Sequence, residues 1–323
     1  MKRLVVGIDL GGTMIKAALV DREGRIVGRR EGPTGPDLGP KAVIGRIASV
    51  AEDLAREAKE AHGAQVVALG LGCPGGIRVD LATVSQSPNF REWNEVDVRS
   101  PLQARLRVPV AVDNDANAAA QGEHWQGAGR GCDSLVLVTL GTGVGGGVVL
   151  GGRVWRGAWG MAGEIGHVNV EPEGPLCGCG SRGCLETYAS ATAMARAARE
   201  GLARGEGERL RELAGGDPTK VDARLVHEAA KDGDALCLAV LAEAGRRLGI
   251  ALASVLNLLG PSVFVIGGGA GRAFDLIAPS ALAEIRARAF REPASHVRLV
   301  PTALGNDAGA VGAAKLAWDV AEC

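Results

Sequence analysis

Asp9-Leu10-Gly11-Gly12-Thr13-Met14-Ile15-Lys16-Ala17-Ala18-Leu19-Val20 and Thr139-Leu140-Gly141-Thr142-Gly143-Val144-Gly145-Gly146-Gly147-Val148-Val149-Leu150 can be laid over each other without a gap. In each stretch an apolar run ends in glycines and leads straight into a second apolar run, which reads as strand, glycine hairpin, strand. A glycine turn between strands points backbone N–H groups outward, and without side chains a polyphosphate can come close to them. Thr13 and Thr142 add hydroxyl donors, and Lys16 a positive charge. Neither hairpin has the dinucleotide-binding or P-loop spacing, because each leads into a strand rather than a helix. One such hairpin alone reads first as a tight turn. The pair predicts two similar α/β lobes with a cleft between them.

Working outward, Leu4–Ile8, Met14–Val20 and Arg25–Arg30 form one predicted meander, and Leu135–Leu140, Val144–Leu150 and Arg153–Trp155 a second. Val43, Ile47, Val50, Leu54 and Ala58 recur at three or four, which predicts a helix over 41–61. Strands are expected at Val66–Leu71 and Val108–Val112. Ser100-Pro101 reads as a helix N-cap followed by proline at the first helical position. Helices over about 221–231, 234–258, 273–290 and 308–321, with a strand at Val263–Ile266, complete the chain.

Composition limits the function classes. A chain of 323 residues suits two lobes of about 100–200 residues each. Aromatics are only 3% and glycines number 49, so cores must be built from Ala, Val, Leu and Ile around tight turns. A net charge of −1 with no basic block argues against a nucleic-acid or anionic-membrane surface. Asp9 interrupts the apolar run a signal peptide needs, and no stretch of about 18 apolar residues exists. The expectation is a soluble, cytoplasmic protein.

Three of the seven cysteines fall within eight residues, at Cys177, Cys179 and Cys184, preceded by His167. The spacing His-x9-Cys-x-Cys-x4-Cys supplies four ligands for a closed, tetrahedral, structural zinc site. An odd cysteine count argues against a disulfide framework. Cys73, Cys132, Cys237 and Cys323 read as inert thiols, and His62, His124, His227 and His296 as surface or packing residues.

A third glycine element, Val265-Ile266-Gly267-Gly268-Gly269-Ala270, is a strand running through three glycines into a helix. Two phosphate hairpins followed by such a turn resemble the sugar kinase/actin/heat-shock ATPase superfold. Within it the chain closely resembles the ROK family, named for repressors, open reading frames and kinases, from Val5 to about Leu316. The resemblance implies two actin-like α/β lobes of the ribonuclease H-like type. The smaller would hold residues 1–113, with a C-terminal helix over about 305–323 returning to it. The larger would hold 114–304 and the zinc loop.

It also implies an ATP-dependent hexose kinase of the glucokinase type. Phosphoryl transfer to an alcohol needs a base beside the attacking hydroxyl. The resemblance assigns this to Asp115, within Val112-Asp113-Asn114-Asp115, with Asn114 gripping a neighbouring sugar hydroxyl; on local sequence alone either residue equally suits a helix cap. Glu164, His167 and Glu186 would bind sugar hydroxyls, with Gly75 and Asn89 on the opposite wall. His167 would serve both zinc and sugar. Gly11, Gly12, Thr13, Lys16, Gly141, Thr142, Gly143, Gly267, Gly268 and Gly269 would cradle ATP, with Asp9 near its Mg2+ through water. Glucose is the first-choice substrate; N-acetylmannosamine, N-acetylglucosamine, fructose and mannose remain open, as does polyphosphate as donor. Tyr188 is expected to crowd an acetamido group at C2. A homodimer or homotetramer is expected. The rival within the family is a sugar-responsive transcriptional regulator, whose DNA-binding segment would precede the first lobe; here the first strand starts within five residues of Met1. A rival of the wider superfold is an ATP-driven assembly or chaperone protein, for which the zinc loop has no purpose.

Overall fold

The apolar run at the start of the chain becomes β1 (Lys2–Leu10), the central strand of a five-stranded sheet. Both faces of that sheet are covered, which is why the run is nearly unbroken rather than alternating. The computed structural model describes residues 2–78, 83–87, 90 and 92–322. Asn89 lies outside them. β2 (Met14–Val20) and β3 (Ile26–Pro33) complete the first meander, followed by α1 (Gly39–His62) and β4 (Ala64–Cys73). Then come β5 (Gly76–Ile77), β6 (Thr83–Gln86), β7 (Asn94–Asp97), α2 (Arg99–Leu106), β8 (Val110–Asn114) and α3 (Asp115–Gln126). The first sheet has the order β3-β2-β1-β4-β8.

The second meander is β9 (Leu135–Leu140), β10 (Val144–Leu150) and β11 (Arg153–Val154). After it follow α4 (Glu186–Ala189), α5 (Ala191–Ala203), α6 (Glu208–Leu213), α7 (Ala223–Lys231), α8 (Ala235–Leu259), β12 (Val263–Gly267), α9 (Phe274–Arg288), α10 (Arg291–His296), β13 (Arg298–Pro301) and α11 (Ala308–Ala321). The second sheet has the order β11-β10-β9-β12-β13. The chain forms two compact units. One comprises Met1–Leu135, Gly147–Gly163 and Thr302–Cys323, the other Val136–Gly146 and Glu164–Pro301. No helix among the described residues is long and apolar enough to cross a membrane.

In the first unit, Leu4, Val6, Ile8 and Leu10 pack with Val43, Ile47 and Leu54 of α1 on one face of the sheet. Val5, Val20 and Ala68 pack with Ala310, Ala314 and Trp318 of α11 on the other. The α11 face is an alanine–glycine contact in which backbones nearly touch. A Cβ on Gly7 would overlap Ala310 O, and one on Gly70 would overlap Ala313 O. Even a methyl there forces backbone movement, a strain of about 1–3 kcal/mol or more. This is how a chain so poor in aromatics builds a dense core.

One local expectation is corrected. Ser100 and Pro101 sit inside the first turn of α2 rather than at its cap, because Asp97 upstream already accepts the Ser100 N–H (3.0 Å). Proline is tolerated there because first-turn N–H groups have no intrahelical acceptor. The small antiparallel sheet β5-β6-β7 was not expected, since its strands are short and β7, Asn-Glu-Val-Asp, is polar.

Candidate active site

The parallel strands β1, β4 and β8 end in register. Asp9 stands beside Gly72, and Gly72 beside Asp113. The carboxyl ends of parallel strands are where α/β sheets collect ligands. Across the antiparallel β1/β2 pair, Asp9 faces Lys16. Burial pushes the Asp9 carboxyl up to about 6, the negative charge of Asp115 adds to the rise, and Lys16 opposes it. Gly309, in the first turn of α11, lies against that carboxyl; a Cβ there would come within 2.7 Å of Asp9 Cγ. The first glycine turn is closed by Gly11 N–H donating to Met14 O (3.0 Å) and by the Thr34 hydroxyl donating to Gly11 O (2.7 Å). Thr13 is left exposed at its tip.

Asp113, Asn114 and Asp115 take three separate roles. Asp113 is buried; one oxygen accepts the Asn114 N–H and the Asn117 amide, the other accepts Nε and Nη2 of Arg156 at 2.9 and 2.5 Å. Asn114 caps α3, its side-chain oxygen accepting the N–H groups of Ala116 and Asn117, while its Nδ2 donates to Gly75 O (3.0 Å). Asp115 opens the helix half-buried, with one oxygen accepting the Ala116 N–H (2.9 Å). The cap is thus made chiefly by Asn114. Sequence reasoning gave Asp113 and Arg156 no role. Their pairing spans 43 residues, and no local pattern announces it.

In the second unit the second hairpin is closed by Gly141 N–H donating to Gly143 O (2.9 Å), and its Gly141 and Thr142 carbonyls accept from Ala191 N and Thr192 Oγ1 at 2.8 Å each. Glu186 reaches beneath it, Oε2 accepting the Val144 N–H (2.9 Å). A Cβ on Gly143 would overlap that oxygen, whereas Gly141 has no neighbour nearer than 3.9 Å. On the other side of Val144, Gly166 packs so closely on the Val144 carbonyl that it too has no room for a Cβ. One residue thereby braces both Glu186 and the 3-10 turn Ile165–His167, whose preceding residue is Glu164. Gly268, at φ +83°, brings the turn after β12 to within 2.5 Å of Leu140 O, measured from where its Cβ would be. Only glycine suits that combination.

His167, Cys177, Cys179 and Cys184 converge, their ligand atoms all within 4.8 Å of one another. Cys179 and Cys184 sulfurs are 3.7 Å apart, and Cys177 Sγ lies 3.7 Å from His167 Nδ1. Tetrahedral zinc with Zn–S near 2.3 Å and Zn–N near 2.0 Å sets edges of roughly 3.5–3.8 Å, so the donor set fits the ion. Burial pushes the Cys184 thiol up to about 12 and raises Cys177, while the Ser181 backbone N–H holds Cys179 down. Cys177 Sγ also lies 3.8 Å from Glu186 Oε1. The Tyr188 ring lies beneath the Arg247 guanidinium, 4.4 Å from its centroid.

Comparison with known proteins gives the family and the fold. The ROK family matches residues 5–320. The glucokinase of Halalkalibacterium halodurans is 40% identical over 311 residues, 96% of this chain and 93% of that one. The crystal structure of a ROK family glucokinase from Streptomyces griseus, in complex with glucose and AMPPNP, superposes with a TM-score of 0.83 at 37% identity, covering 98% of this chain and 99% of that chain. A ROK hexokinase from Thermus thermophilus gives 0.81 at 34% identity, covering 99% of each. With an α/β fold of the actin-like ATPase type and similarity running nearly end to end, the chain belongs to the ROK family.

Proposed function

We propose that this chain is an ATP-dependent sugar kinase, a glucokinase that transfers the γ-phosphoryl group of ATP to O6 of glucose. The observation that carries the reading is its likeness, over 98% of its length, to a glucokinase crystallised with glucose and AMPPNP. In the proposed reaction Asp115 accepts the O6 proton as O6 forms its bond to the γ-phosphorus. The bond from that phosphorus to the β–γ bridging oxygen breaks, and ADP leaves. Asn114, fixed as the α3 cap, has one amide N–H beyond the Gly75 bond to offer a sugar hydroxyl. Glu164, His167 and Glu186 would accept or share hydrogen bonds with the remaining hydroxyls.

Mg2+ suits Asp9: a carboxylate whose ionisation is disfavoured by burial and by Asp115 gains from a cation, and Lys16 offsets only part of that cost. When bound, the ion neutralises charge on the phosphates. Zinc on His167, Cys177, Cys179 and Cys184 would serve as a brace, orienting the His167 ring and the segment that carries Glu186. A coupled assay of ADP release across glucose, mannose, fructose, N-acetylglucosamine and N-acetylmannosamine tests the reading. The highest kcat/KM belongs to glucose; greater efficiency on an acetylated sugar overturns the glucokinase assignment and keeps the kinase.

A further inference from the structure

A cavity of about 550 Å³ in the first unit takes no part in the proposed transfer. It lies where α3, β11 and α11 meet, and its lining is unbalanced in charge. Arg130, Arg153, Arg156 and Lys315 face one carboxylate, Asp319. Lys315 is paired with Asp319, and Arg156 with Asp113. Arg130 and Arg153 are exposed, and among the described residues their guanidinium groups have no ion-pair or hydrogen-bond partner. Trp125 adds a flat apolar wall.

A cavity of this size suits a small molecule, within the usual range of roughly 300–1,000 Å³. Two unpaired guanidinium forks select the partner chemistry, because the planar fork matches phosphate oxygens two at a time. A net charge of −1, with 36 basic and 37 acidic side chains, speaks against nucleic acid. The geometry points to a site for a small phosphate monoester, held by Arg130 and Arg153 and separate from the transfer residues. It has a built-in route to them. Arg156 forms part of its wall and at the same time grips Asp113, whose other oxygen holds the Asn114 N–H. An anion beside Arg156 competes with Asp113 for that guanidinium and loosens the segment carrying Asn114 and Asp115. The bound ester is therefore an inhibitor of turnover. This second half rests on the kinase reading; binding does not.

Calorimetry separates the two. Glucose 6-phosphate and inorganic phosphate are titrated into the full chain with glucose and AMPPNP present at saturation, and into the Arg130→Ala/Arg153→Ala double variant. The expected result is binding of the ester by the unaltered chain under those conditions and at least about tenfold weaker binding by the variant, whose turnover without ester is unchanged. No binding, equal binding by both chains, or binding abolished by glucose and AMPPNP overturns the site. Equal affinity for inorganic phosphate supports it and identifies the phosphate group alone as what is read. In kinetics, the ester lowers kcat of the unaltered chain and not that of the variant; full occupancy with unchanged kcat overturns the inhibitory half and leaves the site standing.

Discussion

The two glycine hairpins start from the same sequence pattern and finish with different chemistry. The first brings its own charges, Asp9 and Lys16, opposed across β1 and β2, and is tied by the nearby Thr34 hydroxyl. The second has no ionisable residue from Thr139 to Leu150 and takes its carboxylate from Glu186, 42 residues beyond Val144. The hydrogen bond that closes each turn is local, Gly11 to Met14 and Gly141 to Gly143. The charge beside the second is a tertiary import, and it arrives on the segment that the cysteine–histidine cluster closes.

The steepest loss is expected beside the first hairpin, at Asp115, whose charge bears on Asp9. Asp115→Asn keeps shape and hydrogen bonding but removes proton acceptance, so kcat falls about 10²- to 10⁴-fold with glucose KM far less affected. Near-normal turnover leaves Asp115 as a helix-opening residue only. The second side breaks at a distance. Metal analysis of the purified chain finds about one zinc per chain; Cys179→Ser loses it, lowers Tm and raises glucose KM about tenfold, with ATP KM little changed. Chelator-stripped protein with undiminished glucose affinity would falsify that coupling.

Two single methyl groups sharpen the contrast within the second hairpin. Gly143→Ala displaces Glu186 from Val144 and raises glucose KM about tenfold. Gly141→Ala meets open space, so stability stays within about 0.5 kcal/mol while ATP KM rises, because a phosphate loses its close approach. An unchanged ATP KM for Gly141→Ala returns this glycine to a turn-making role.

The smallest effect concerns stability in metal-free protein. The folded Asp9 carboxyl is raised from 3.8 to about 6. The folded state therefore holds this proton more tightly than the unfolded chain, and that stabilisation is complete below about pH 4 and lost as pH rises through about 6. The loss is at most about 3 kcal/mol, from roughly two units at 1.36 kcal/mol each. Asp9→Asn removes this part of the pH dependence and raises Tm at pH 7–8. A variant with the same Tm-against-pH curve as the unaltered chain contradicts the burial of charge at Asp9.

Much of this is legible in the sequence. Met14–Val20, Leu135–Leu140 and Val144–Leu150 have the strand bounds their apolar runs predicted, because a hairpin's pattern and its hydrogen bonds lie within a few residues of each other. The convergence of His167 with Cys177, Cys179 and Cys184 followed from spacing for the same reason. The short strands β5–β7 did not, since two to four residues are too few to show an alternation.

The paired hairpins, the family and the residue types gathered near each strand end are all carried by the amino-acid order. Tertiary structure alone decided that Arg156 clamps Asp113, that Val144 braces Glu186 and the His167 turn together, and that Gly309 admits α11 against Asp9. The physical reason is range. Turns and ligand spacings are set by covalent neighbours, whereas these contacts join residues 43, 42 and 300 positions apart, and only the packed chain brings them within reach.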